Sequence, residues 1–202
     1  MKPIKLAFLA LAVLVFIYSG VDPKDRFTWV LEVAPAIIGL PLLVWLDRKR
    51  GVTTLLFVLV CLHAVILCIG GKYTYAEVPA GFWVRDALGL ARNHYDRLGH
   101  FFQGFEPAIL AREVLLRKNV LPRGSWLSLF CFCICLAFSA SYEFIEWWTA
   151  LLTGEAAEAF LGTQGDPWDT QWDMFMAAVG AVAALLFFSR LHDRELAKAG
   201  RA

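Results

Sequence analysis

A chain of 202 residues that is 59% hydrophobic and only 18% charged would, as a soluble globule, leave large apolar patches in water. Its apolar residues come in blocks of membrane-crossing length separated by short clusters of charge and proline, a bilayer pattern rather than a soluble-core pattern. A net charge of +1, with no zinc knuckle and no basic-aromatic array, implies no attraction to nucleic acid. What remains is an all-α fold: a polytopic transmembrane bundle of about six helices, with residues 1–202 forming a single integral membrane domain in the lipid bilayer.

The first apolar run covers residues 4–21. Lys2 and Lys5 precede it, as in a signal peptide, but Tyr18, Ser19 and Gly20 do not form a small-x-small cleavage site, so it reads as a retained helix. The second run, 27–46, contains Pro35 and Pro41, which membrane helices tolerate. The third covers 52–70. The fourth, 94–117, is long enough to cross at ~1.5 Å per residue but too polar to face lipid all round. It either crosses among other helices or lies partly at the surface. The fifth covers 124–152 and the sixth 172–190. The five cysteines, Cys61, Cys68, Cys131, Cys133 and Cys135, lie within apolar runs and form no CxxC pair. They read as packing residues.

Basic residues orient these spans. Lys2 and Lys5, then Arg48, Lys49 and Arg50, then Arg112, Arg117, Lys118 and Arg123, then Arg190, Arg194, Lys198 and Arg201 all fall on one side if the chain crosses six times. The positive-inside rule makes that side, and both termini, cytoplasmic. The connection 153–171 is then external and acidic, with Glu155, Glu158, Asp166 and Asp169 and no Lys or Arg. Removing the fourth crossing would put the later basic clusters on the wrong side.

Ionisable groups within a bilayer are costly, which marks them as functional candidates. Counting from the outer helix ends at ~1.5 Å per residue, His63 lies about 10 Å deep, Asp96 about 5 Å and His100 about 10 Å. Glu146 and Glu143 lie about 9 and 13 Å deep on the same count. Asp173 opens the sixth helix, with Asp169 one turn before it. Asp96 with His100, Glu143 with Glu146 and Asp169 with Asp173 each share a helix face. Helices one and two add only Glu32, and nothing equally polar lines the inner half. Arg92 and Arg97 flank this layer: they either neutralise acids in a buried network or clamp an anionic group. Gly162, Thr163 and Gly165 suit a tight turn above it.

The stretches GGKYTYAEVPAGFW, RNHYDRLGHFFQGFEPAILARE, SASYEFIEWW and FLGTQGDPWDTQWDM resemble the signature of the YjdF-like family of bacterial inner-membrane proteins. The resemblance implies a multi-span protein of the bacterial inner membrane. It implies no catalytic residue, because the family has no assigned biochemical role. A fainter likeness of Asp86, Arg92, Gly165, Asp169 and Asp173 to the CDP-alcohol phosphotransferase motif fails, since that motif is continuous and these residues are scattered.

Three function classes follow. One is a metal-dependent enzyme acting on a lipid-linked or envelope substrate. Asp96, His100, Glu143, Glu146, Asp173 and His63 would be candidate ligands for a divalent metal ion, with Glu143, Glu146 and Arg92 as candidate catalytic groups. The second is a transporter of a proton, cation or small solute. The third is a non-catalytic membrane partner whose polar network only holds helices together.

Overall fold

The computed structural model describes residues 1–154, 158–161 and 163–199, which form eight helices and no strand. They are α1 (Pro3–Gly20), α2 (Arg26–Arg50), α3 (Thr54–Lys72), α4 (Pro79–Leu88), α5 (Tyr95–Arg117), α6 (Ser125–Thr153), α7 (Glu158–Leu161) and α8 (Asp169–Ala199). Glu155, Gly162, Arg201 and Ala202, all part of the sequence argument, lie outside the described residues. Helices α1, α2, α3, α6 and α8 are long and apolar enough to cross a membrane.

Local chemistry sets the helix ends. Asp25 caps α2, its carboxylate accepting from the Thr28 amide at 2.6 Å, and that bond holds the acid below its usual range. Thr53 caps α3 by accepting from the Leu56 amide. Helix α2 runs on to Arg50 rather than Leu46, and larger differences from the hydropathy expectation lie at α8 and after α3. Helix α8 begins at Asp169 rather than Trp172 and continues to Ala199 rather than Arg190, because charged residues end an apolar run without ending a helix. The connection between α3 and α5, which lies between the third and fourth expected spans, contains α4: Pro79 opens the helix and Gly89, at φ 63°, closes it. Trp83 and Leu88 on α4 are 73% and 68% exposed, as suits a short helix lying in the membrane interface.

The polar helix α5 is enclosed by α3, α6 and α8. Its contact with α8 is closest: a Cβ at Gly104 would strike the Ala177 backbone, and one at Gly180 would strike the backbone of Phe101 and Phe105. Small residues let two backbones meet where lipid offers no hydrophobic drive to hold helices together. Ala177, Ala181 and Ala184 continue that buried seam. Helices α1 and α2 pack instead on α3, around Ala12, Val33, Phe57, Cys61 and Cys68. All five cysteines are free and all but Cys133 are buried, in line with a packing role.

Cross-helix bonds show that α5 runs from one end of the bundle to the other. At one end, Lys5 of α1 meets Asp47 of α2 at 2.6 Å, Thr53 beside α3 meets Glu113 of α5 at 2.5 Å, and Arg123 beside α6 meets Asp193 of α8 at 2.7 Å. At the other end, Tyr18 of α1 meets Tyr73 beyond α3 at 2.7 Å, and Asp96 and Asp173, near the starts of α5 and α8, both approach His100. Six helices therefore alternate in direction, and the basic residues gather at the first end.

Candidate functional site

The polar layer converges on His100, which is 6% exposed. Its Nε2 lies 3.5 Å from Asp96 Oδ1 and 3.9 Å from Asp173 Oδ2. Its Nδ1 lies 3.0 Å from Gln103 Oε1 and 3.8 Å from Glu143 Oε1. One ligand atom each from Asp96, His100 and Asp173 lie within 4.8 Å of one another. Two carboxylate oxygens here, Asp173 Oδ1 and Glu143 Oε1, are buried with no hydrogen-bond partner, an arrangement that costs stability unless a cation or donor satisfies it.

Local structure accounts for the gathering. Asp96 and His100 stand one turn apart on α5, and the Gly104–Gly180 crossing presses α8, with Asp173, onto that face. Glu146, 9% exposed, opens with Glu32, Asp96 and His100 onto a cavity of about 270 Å³. His63 does not join His100: its Nδ1 lies 3.3 Å from Glu106 Oε2, lower on the same cavity wall.

The arginines occupy a layer above. Arg92 donates to Asp169 at 2.5 Å and to the Thr163 carbonyl at 2.5 Å, and lies 3.3 Å from Asp166. Arg97 reaches Asp166 at 3.3 Å and covers the Trp172 ring. The turn they hold is closed by the Asp166 amide bonding the Thr163 carbonyl at 2.9 Å, with Gly165 at φ 82°. Arg92 thus pairs with Asp169 and Asp166, and Arg97 with Asp166, while burial, then the charges of Arg97 and Arg92, hold the neighbouring His94 below its ordinary value. Among the described residues, the one potential cation within 4 Å of Asp96, Asp173 or Glu143 is His100.

Several site residues escaped the sequence reading. Gln103 and Glu106 extend the Asp96–His100 face of α5 at helical spacing, a signal that was available. Tyr142 precedes Glu143 and also lines the cavity. Tyr75 fills the space left by Gly70 and Gly99, and burial raises its phenol well above the ordinary value. In the sequence Tyr75 stands only as one polar residue of the connection 71–92. The expectation of an apolar inner half is corrected: at the basic end, Glu113 accepts from the Thr53 amide at 3.1 Å and from Arg117 at 2.9 Å, and meets His192 Nε2 at 3.0 Å. Arg112 lies 2.9 Å from both His192 Nδ1 and Asp193. Residues 112 and 113 stood in the sequence only as charges near a span end, and partners about 80 positions away leave no periodic trace.

Fold and site together define a multi-pass helical membrane protein with a buried carboxylate–histidine cluster at one end. The chain belongs to the family described as predicted membrane protein (DUF2238), whose model matches residues 4–194. It is 49% identical over 201 residues to the inner membrane protein YjdF of Escherichia coli, an alignment covering 99% of this chain and 96% of that protein. No solved structure matches the chain. The motif resemblance, the inner-membrane class and the all-helical fold therefore hold.

Proposed function

We propose that this protein is a membrane enzyme whose Asp96, His100 and Asp173 hold a divalent cation about 10 Å below the outer face, acting on a lipid-linked or envelope substrate. Both termini lie in the cytoplasm in this reading, because the basic end of the bundle is the cytoplasmic end. The observation that carries it is the convergence of three ligand atoms within 4.8 Å beside two orphaned carboxylate oxygens, with both nearby arginines engaged elsewhere. So many buried acids repel each other, and a divalent cation balances them compactly. The donor set of two carboxylates and an imidazole suits Zn²⁺ or Mn²⁺, with Glu143 able to complete it. Glu146 borders the cavity and is the better placed of the two glutamates to move a proton at a substrate atom. His63, paired with Glu106, supports the wall rather than the ion. Arg92 is a positioning residue that ties Asp169 and the 163–169 turn over the site. A bound cation would polarise a phosphoryl or carbonyl oxygen or lower the pKa of a water.

Elemental analysis of detergent-purified wild type and of a His100→Ala, Glu143→Gln double variant tests this. About one divalent metal per wild-type chain is expected, with at least tenfold less in the variant. Substoichiometric metal after mild purification, with thermal stability indifferent to Mg²⁺, Mn²⁺ and Zn²⁺, would overturn it.

A second reading, a proton or cation pathway, is favoured by the face of α5 that carries Asp96, His100, Gln103 and Glu106 and by the polar cluster at the other end. Between them lie buried Ile109, Leu56 and Leu59, an apolar layer. Proton flux into reconstituted liposomes that is lost in Glu106→Gln would favour this pathway over the enzyme.

A further inference from the structure

The cavity beside the cluster changes character with depth. Its upper part is carboxylate and imidazole. Below it stands the paired His63 and Glu106, and the deepest part is hydrocarbon, lined by Leu43, Leu46, Val60 and Leu110. Along α2 it runs from Glu32 to Leu46, about 20 Å at ~1.5 Å per residue. That exceeds half of a ~30 Å hydrocarbon core, the depth of one leaflet.

The cleft is open at the side. Helix α2 packs on α3, and α6 packs on α5 and α8, so α2 and α6 face each other across the gap with α3 and α5 behind. Leu110 of α5 is 40% exposed although Ile109 and Ala111 beside it are buried, because it lines this opening. Leu42 and Phe138 on its two edges are 49% and 48% exposed. At the polar end, α7 packs on both α2 and α6, with Phe160 buried. The way in is therefore from the bilayer.

An apolar cleft facing lipid fills with hydrocarbon, since proteins do not keep large voids. What distinguishes this one is its upper end, where a chain lying in it would meet buried carboxylates instead of water. We infer that the cleft between α2 and α6 seats the single hydrocarbon tail of a lipid, which enters sideways and carries a phosphate-bearing headgroup to the Asp96–His100–Asp173 centre. The headgroup assignment rests on the cation proposed above; the tail site does not. An elongated, amphiphilic, laterally open cleft suits neither a water-soluble solute nor a folded partner.

Gly39 supplies a selective test. It lines the cleft, and a Cβ added there meets nothing within 4 Å, so Gly39→Phe projects its ring from an unobstructed Cβ into the site and removes a glycine from a helix interior. The probe is oleoyl lysophosphatidic acid, added with MnCl₂ to purified protein and read as a shift in melting temperature. A saturable rise of several degrees is expected for wild type and none for Gly39→Phe, while Mn²⁺ alone is retained equally by both. Equal lipid shifts in the two proteins would overturn the tail site. A lipid shift that separates them in a wild type that retains no Mn²⁺ would remove the cation and the headgroup contact and keep the tail site. Gly39→Leu repeats the comparison with a smaller plug should the aromatic variant not fold.

Discussion

Asp173 and Glu113 are both buried acids in membrane helices, yet their surroundings are opposite. Glu113 is satisfied on both oxygens by Thr53, His192 and Arg117. Removing one partner of such a network leaves uncompensated charge, so Glu113→Ala should cost about 3–5 kcal/mol, read as a melting-temperature drop on the order of 10 °C in detergent. Asp173 has an oxygen with no partner. Asp173→Asn should therefore raise the melting temperature of metal-stripped protein while abolishing its response to added Mn²⁺, the exchange expected where a site is held at a cost to stability. His94 adds a pH dependence. Its folded value lies below the ordinary one, so the stability it confers is present above about pH 6.5 and is lost as pH falls toward the folded value. His94→Asn should flatten that part of the melting-temperature profile. At this scale the same-face pairs Asp96–His100 and Asp169–Asp173 were legible from spacing alone. The partners of Arg112 and Glu113 were not, because tertiary folding alone brings them together.

Among the elements, α5 is the hardest to place from sequence, and about half of its residues are buried, as in α3. Hydropathy passes over it because its polar face meets protein, not lipid. What revealed its crossing was the sign of charge in the connections on either side. Helix α4 was missed although Pro79 and Gly89 frame it, since an interfacial helix leaves no long apolar run. The α5–α8 seam yields a sharp expectation. Gly104→Val or Gly180→Val puts side-chain atoms where the opposing backbone lies, so neither variant should yield folded, monodisperse protein by size-exclusion chromatography. Gly39→Val, at a glycine with open space around its Cβ, should fold and elute as a monodisperse peak.

For the whole molecule, alternating helix directions place the ends of α2, α5 and α8 with the start of α1 at the basic end. Reporter fusions at Arg48 and Lys118 should read cytoplasmic, and fusions at Asp25 and Glu77 external. An external reading at Lys118 would remove the α5 crossing and with it the depth assigned to the site. The long helices α1, α2, α3, α6 and α8 and their order could be read from apolar blocks. The cleft could not, since a gap between α2 and α6 depends on which helices fail to touch, and sequence patterns report the faces that are buried.

The backbone-to-backbone seam at Gly104 and Gly180 also bears on selectivity. Asp96 and His100 ride on one side of that seam and Asp173 on the other, so the seam fixes the main-chain spacing beneath them. In the cation site proposed above, a fixed spacing would sort ions by radius. Ca²⁺, which takes six to eight oxygens at about 2.3–2.6 Å, should be excluded, and Mn²⁺ or Zn²⁺ should protect the protein against heat where Ca²⁺ at the same concentration does not.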